Sequence, residues 1–256
     1  MESRIAVVTG AGRGIGAAVA RELASAGARV VLASRTLAPA TAVAEEITAA
    51  GGRALALRCD VTGEADVALL AADLAERVGP ADILVNNAGA AHAAPLERTT
   101  LDDWERMLAV NATGTFLMTR ALLPAMIARG FGRVVNVASV AALEGGRYIS
   151  AYAAAKHAVL GFTRSVAEEV RGTGVTVNAV CPGYVDTDLT RESVRRIVEK
   201  TGRSEADARR LLAQSNAGGE LLAPEDVARE VLRLCGKDAG DVQGQAIRLE
   251  EAGRRT

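Results

Sequence analysis

Hydrophobic positions along this chain of 256 residues fall into two alternating textures. Short β-branched runs read as strands: "RIAVVT" from Arg4, "ARVVLAS" from Ala28, "RALALR" from Arg53, "DILVNNAG" from Asp82, "GRVVNVAS" from Gly132, "VTVNAV" from Val175 and "QAIRL" from Gln245. Their hydrophobicity is continuous rather than alternating, as expected of strands covered on both faces in a parallel sheet. Between them, alanine-rich segments of helical period span about 14–26, 38–50, 64–78, 102–129, 150–171 and 224–235. This rhythm predicts an α/β fold. Its seven-stranded parallel sheet is doubly wound, with helices on both faces and ligands outside the carboxyl ends of the strands.

No repeat, low-complexity tract or linker divides residues 1–256, so a single domain is expected. The rhythm breaks once, at about 186–219, where "DTDLTRESVRRIVEKTGRSEADARRLLAQSNAGG" is charged and suggests two short helices. Such a segment is either a solvated excursion or a mobile cover over the ligand cleft. Because it leaves the carboxyl end of a strand, the cover is the expectation.

Composition narrows the function. With 49% hydrophobic residues the chain suits one soluble core, and 30 basic residues against 31 acidic leave no field for nucleic acid or an anionic membrane. No apolar stretch approaches the ~20 residues of a membrane span. Cys59, Cys181 and Cys235 are odd in number and far apart, which suits reduced thiols in the cytoplasm. Two histidines and no CxxC or HExxH pattern make a built metal site unexpected. The opening "MESRIAVVTG" enters a strand directly, so no secretory leader is expected.

Chemistry gathers at strand ends. "VVTGAGRGIGAAVA" follows the first strand and opens a helix. Gly10, Gly14 and Gly16, with Gly12, Arg13 and Ile15 completing the turn, let backbone N–H groups approach a pyrophosphate at a positive helix end. A carboxylate about 20 residues further on would select NAD. Here the second strand ends instead in Ser34 and Arg35. A hydroxyl and two guanidiniums, Arg35 and Arg13, would bind a 2′-phosphate that a carboxylate repels, so the expected cofactor is NADP(H). The alternative is two solvated surface arginines.

"SAYAAAKHAV" places Tyr152 and Lys156 one helical turn apart on a smooth alanine surface. A phenol with pKa near 10 is a poor acid–base catalyst at neutral pH. A cation at about 4–5 Å would stabilise the phenolate by roughly 3–4 kcal/mol at an effective dielectric of about 20. That is an upper figure of about two to three pKa units, reduced by any desolvation of the lysine. An ordinary i,i+4 surface pair would explain the spacing alone.

Together the glycine turn, "NNAG" at Asn86–Gly89, Asn111, Ser139, Tyr152 and Lys156 resemble the short-chain dehydrogenase/reductase family, in register from about residue 4 to 248. The resemblance implies a Rossmann-like fold in which Tyr152 trades a proton with the substrate oxygen and Ser139 hydrogen-bonds it. It implies that Lys156 also binds the nicotinamide ribose and that Asn111, kinking the helix of 102–129, holds a water. It further assigns Asp60 and Val61 to adenine, although Asp60 or Thr62 is equally a helix cap. Asn87, Ala88 and Gly89 go to the adenosine ribose, and Pro182, Gly183, Val185 and Thr187 to the nicotinamide. Its members commonly assemble as homotetramers through 102–129 and 150–171. His157 points away around the helix, Trp104 is a core or subunit contact, and "IRLEEAGRRT" departs from the family's Asp-Gly-Gly ending.

The expectation is therefore a NADPH-dependent ketoreductase. Its substrate would be a 3-oxoacyl thioester on acyl carrier protein or CoA, or a related polyketide-type carbonyl. Arg129, Arg133 and the arginines of 191–210 are either contacts for an acidic carrier or phosphopantetheine, or solvated. The alternatives are a secondary-alcohol or 3-hydroxyacyl-CoA dehydrogenase running oxidatively, and a non-catalytic NADP-binding regulator.

Overall fold

The computed structural model describes residue 1 and residues 3–255. All seven strand-like runs form strands: β1 (Ile5–Thr9), β2 (Arg29–Ser34), β3 (Arg53–Arg58), β4 (Ile83–Asn86), β5 (Gly132–Val137), β6 (Val175–Pro182) and β7 (Ala246–Glu251). They are parallel and ordered β3-β2-β1-β4-β5-β6-β7. The order reverses between β1 and β4, which opens the ligand crevice of a doubly wound sheet. One strand was not expected. The chain passes through Gly253, whose φ of +75° suits glycine, and returns as β8 (Arg254–Arg255), antiparallel to β7.

Helices α1 (Gly14–Ser25), α2 (Leu37–Ala49) and α3 (Glu64–Arg77) follow the first three strands. The segments α4 (Leu101–Leu108), α5 (Gly114–Ala128) and α6 (Ser150–Glu169) flank β5, while α7 (Asp188–Thr201), α8 (Glu205–Ala213) and α9 (Pro224–Cys235) separate β6 from β7. The continuous hydrophobic runs have a simple use: successive residues feed opposite cores. Val8, Leu32 and Ile83 pack with Leu23 of α1, Ile47 of α2 and Val231 of α9. Val7, Val31 and Leu84 pack with Leu74 of α3, Leu122 of α5 and Val166 of α6. Each fully buried aliphatic side chain contributes about 1.5–3 kcal/mol.

The expected helix 102–129 is two helices, because a π-helical turn at Ala109–Thr113 separates α4 from α5. Between the sheet and α5 and α6 runs a buried polar ladder. Asn86 Nδ2 donates to Thr119 Oγ1 and Asn136 Oδ1, and Asn136 Nδ2 donates to Thr163 Oγ1. The ladder fixes the register of the central strands on the helices, with Asn86 Oδ1 its one acceptor without a partner among the described residues. Among the described residues no helix is long and apolar enough to cross a membrane.

Candidate active site

The glycine turn joins β1 to α1 at the switch point. Gly10 and Gly14 have φ of +64° and +53°, the region that favours glycine. A Cβ on Gly16 would overlap the Gly10 carbonyl, and one on Gly10 would stand 2.9 Å from Ala88 Cα. Bare backbone is therefore required here for packing as well as for turning. No side chain caps the N-terminus of α1, whereas Thr100 caps α4 and Ser204 caps α8. Its first N–H groups are thus left for an anion.

The end of β4 is pinned to this turn by a residue the sequence reading passed over. Thr9 Oγ1 accepts from the backbone N–H of both Asn87 and Ala88 at 3.0 Å, while Asn87 Nδ2 donates to the carbonyls of Thr9 and Gly10. A threonine at a strand end carried no distinguishing signal. Asp60 closes a turn on itself, accepting at Oδ1 from Thr62 N and Oγ1. Gly63, not Asp60 or Thr62, is the N-cap of α3, so the capping alternative fails. Val61 is buried against Gly114.

Asn111 sits in the π-helical turn and is 1% exposed. Its Nδ2 donates to the carbonyls of Met107 (2.9 Å) and Ala90 (3.0 Å), and its Oδ1 accepts from Ala90 N at 3.3 Å. An amide that satisfies the carbonyl four residues back competes with the helical ladder, which accounts for the break. Both amide protons are thereby used. One lone pair of Oδ1 and the main-chain carbonyl remain for further contacts, and Thr115 Oγ1 already donates to that carbonyl.

Ser139 follows β5, with its Oγ accepting from Ala141 N at 3.1 Å. Lys156, 5% exposed, donates from Nζ to the Val137 carbonyl at 3.0 Å and lies 5.8 Å from the Tyr152 ring centroid. The structure thus brings Ser139, Tyr152, Lys156 and Asn111 to one end of the cleft. Gly89 closes its floor, since a Cβ there would lie 3.6 Å from Lys156 Nζ.

The electrostatics differ from expectation. Burial, the largest influence, pushes the Tyr152 phenol above its usual range; the neighbouring Ser139 hydroxyl acts in the opposite sense, and Lys156 is not among the influences. Burial also pulls the Lys156 ammonium down to about 8. The spacing was right, but both groups are desolvated, and burial disfavours phenolate and ammonium alike. Without a further positive charge in the cleft, Tyr152 is a protonated donor at neutral pH.

Beyond β6, Thr187 stands against Gly14, its Cγ2 at 3.2 Å from the position of a Cβ there, so Pro182–Thr187 faces the glycine turn. The 186–219 segment forms α7 and α8 with a small core of its own, Val194, Ala208 and Leu212. Its base carries an ion cluster in which Asp186 meets Arg191 and Arg209. Arg129 and Arg133 lie elsewhere, at the opposite end of the sheet. Arg133 is buried, donating to the carbonyls of Gly132, Gly174 and Gly236, and Arg129 donates to the Ala81 carbonyl. Neither can meet a carrier at the cleft. His157 is exposed, its Nδ1 at 2.9 Å from the Ala153 carbonyl, and Trp104 is 39% exposed, which excludes the core. His92 also went unnoticed; its Nε2 lies 3.5 Å from Asp103 Oδ2.

A doubly wound sheet with a glycine turn at its switch point and a Ser-Tyr-Lys cluster at its strand ends defines a Rossmann-like, dinucleotide-type domain. The family model "short chain dehydrogenase" matches residues 4–197. A D-beta-hydroxybutyrate dehydrogenase of Rhizobium meliloti is 36% identical over 252 residues, covering 97% of each chain. A 3-oxoacyl-acyl-carrier-protein reductase of Aquifex aeolicus is 36% identical over 250 residues, 97% of this chain and 96% of its own. A variant of the actinorhodin polyketide ketoreductase solved with NADPH superposes with a TM-score of 0.94 at 35% identity, covering 99% of this chain and 100% of its own. The chain belongs to the short-chain dehydrogenase family and is an oxidoreductase acting on hydroxyl or carbonyl groups.

Proposed function

We propose that the protein reduces a ketone to a secondary alcohol with NADPH, and that the substrate is a 3-oxoacyl thioester or a related polyketide-type carbonyl. The observation that carries this reading is the convergence of Ser139, Tyr152 and Lys156 at the strand ends, with a burial-raised phenol protonated at neutral pH. A reductase needs a proton donor, and Tyr152 is one. The similarity to a polyketide ketoreductase and a 3-oxoacyl reductase over nearly the whole chain supports the substrate class.

The residues fit the cofactor. The uncapped start of α1 would take the pyrophosphate on the N–H groups of Gly14, Ile15 and Gly16, with Gly10 and Gly12 leaving room. Ser34 ends β2, and Arg35 beyond it is 73% exposed and 4.0 Å from Asp60 Oδ2, which supports it as the cation for a 2′-phosphate. Arg13, 78% exposed, stands 3.6 Å from Asp188. Asp60 and Val61 would flank adenine; Asn87, Ala88 and Gly89 the adenosine ribose; and Pro182, Gly183, Val185 and Thr187 the nicotinamide. When bound, the cofactor supplies the hydride and, once oxidised, a positive charge near the phenol.

The chain's own part is proton handling. Ser139 orients the substrate oxygen, and Tyr152 Oη donates the proton as hydride arrives at the carbon. Lys156, anchored on Val137, holds the ribose and, when charged, favours the resulting phenolate. Asn111 locks the helix so that its remaining lone pair and carbonyl face the proton path. The β-hydroxybutyrate dehydrogenase relative supports the same chemistry run oxidatively on a 3-hydroxy acid. The exposed Trp104, Phe116 and Ile127 on α4 and α5 support homotetramer formation through these helices. The test is NADPH oxidation followed at 340 nm (about the dihydronicotinamide band) with 3-oxo thioesters, 3-oxo esters and isolated ketones. Turnover of 3-oxo compounds supports the reading. Binding of NADPH without turnover of any carbonyl overturns it and favours a regulator.

A further inference from the structure

The turn after β6 is fixed more firmly than a connection to a surface excursion requires. Asn216, 3% exposed and at the far end of that excursion, accepts the Tyr184 N–H at Oδ1 (2.7 Å). From Nδ2 it donates to the carbonyls of Tyr184 (2.9 Å) and Glu220 (2.7 Å). The Tyr184 carbonyl also accepts from Leu222 N at 3.0 Å, and Leu222 O accepts from Asp186 N at 2.8 Å, closing a neck at the base of the excursion. Gly183 belongs to the same joint, because a Cβ there would overlap Asn216 Oδ1. One buried amide therefore sets both backbone groups of a single residue.

That residue carries a phenol. Its ring packs against Val194, Ala208 and Leu212, yet among the described residues its hydroxyl makes no hydrogen bond and is not one of the sealed polar atoms. It emerges from β6, whose neighbour β5 leads into Ser139, with Ala138 N donating to Val180 O at 2.8 Å across the two strands. Tyr184 therefore leaves the carboxyl end of β6 beside the strand end that carries Ser139, and its phenol is a minor electrostatic influence on the Tyr152 phenol. Tyr184 thus offers an unengaged donor at the base of the excursion, one strand over from Ser139.

We propose that Tyr184 is a substrate-positioning residue whose hydroxyl donates a hydrogen bond to the second carbonyl of a 3-oxo ester or thioester, with Asn216 as the strut that aims it. This inference rests on the ketone-reduction reading and deepens it. A 1,3-dicarbonyl compound has two acceptors separated by one carbon. Ser139 and Tyr152 engage the ketone oxygen, and a donor beyond them is needed only for the other. An isolated ketone gives Tyr184 nothing to bind.

The experiment compares kcat/KM for ethyl 3-oxobutanoate and for 2-hexanone, with NADPH, in wild type, Tyr184→Phe and Asn216→Ala. One neutral hydrogen bond corresponds to a change of up to about tenfold. The ratio of the two kcat/KM values, ester over ketone, is expected to fall about tenfold in Tyr184→Phe, mostly through KM for the ester, and to fall in Asn216→Ala as well. Tyr184→Phe retains the ring packing and keeps the test valid if Asn216→Ala folds poorly. An unchanged ratio in Tyr184→Phe, with both substrates slowed equally or not at all, overturns the proposal and leaves ketone reduction standing. Absence of turnover of either substrate by the wild type overturns the ketone-reduction reading and this inference with it.

Discussion

Asn111 and Lys156 converge on a single point of the cleft floor: a methyl group on Gly89 would stand 2.8 Å from Asn111 Oδ1 and 3.6 Å from Lys156 Nζ. Gly89→Ala therefore displaces the amide that holds the π-helical turn and sets a methyl in contact with the ammonium. Overpacking of this kind costs about 1–3 kcal/mol. The expected outcome is a Tm lower by several degrees and kcat/KM lower by at least tenfold, measured by thermal unfolding and NADPH oxidation. Unchanged kinetics would show that this floor does not shape the reacting geometry.

Tyr152→Phe removes the proposed proton donor and little else, since the ring and its packing remain. General acid catalysis contributes about 10²–10⁴-fold, and the reductive kcat should fall by that order while NADPH affinity stays within a fewfold. Fluorescence titration of NADPH beside the rate assay separates the two. A residual rate within tenfold of wild type would assign the proton to another group.

Lys156 makes stability depend on pH in a definite direction. Its folded pKa of about 8 lies below the ordinary 10.5, so between these values the unfolded chain binds more protons than the folded one. Stability contributed at this site is thus lowest below pH 8 and rises as pH climbs from about 8 to 10.5. The full span is about 3 kcal/mol for so buried a group. In Lys156→Met this dependence disappears, so the stability difference between wild type and variant should shift toward wild type across that window. Denaturant unfolding of both proteins at pH 7.5 and about pH 10 measures it, and parallel curves would refute the buried-ammonium assignment.

What was legible in the sequence follows from how local the information was. The parallel sheet was readable because Val7 and Val8, or Val31 and Leu32, feed two cores from consecutive positions, and only a doubly covered strand tolerates that. The cluster of Ser139, Tyr152 and Lys156 was readable from motif order. The charges on it were not, because desolvation of Tyr152 and Lys156 depends on what α6 packs against rather than on their spacing. The joint between Asn216 and Tyr184 links residues 32 apart through a side chain that looks like any loop asparagine. Arg129 and Arg133 look like free cations until the fold places them at the far end of β5.

In the proposed reading Arg35 selects NADPH, and its neighbours define the test. It extends from the end of β2 with its Nη1 at 4.0 Å from Asp60 Oδ2, while Arg58 at the end of β3 is engaged by Asp66. Asp60 feels burial first, yet hydrogen bonds from Thr62, with Arg35 and Arg58 nearby, hold its carboxyl below the ordinary range, so it is anionic at neutral pH. A 2′-phosphate bound here, as proposed, would meet this carboxylate and would need the Arg35 cation beside it. Arg35→Asp leaves two carboxylates there, repelling a phosphate and offering acceptors to ribose hydroxyls instead. The expected result is a swing of about 10²-fold or more in the ratio of kcat/KM for NADPH over NADH, while the Tm stays near wild type because Arg35 is mostly exposed. A wild type that already prefers NADH, or a variant whose preference does not move, would remove Arg35 from cofactor selection.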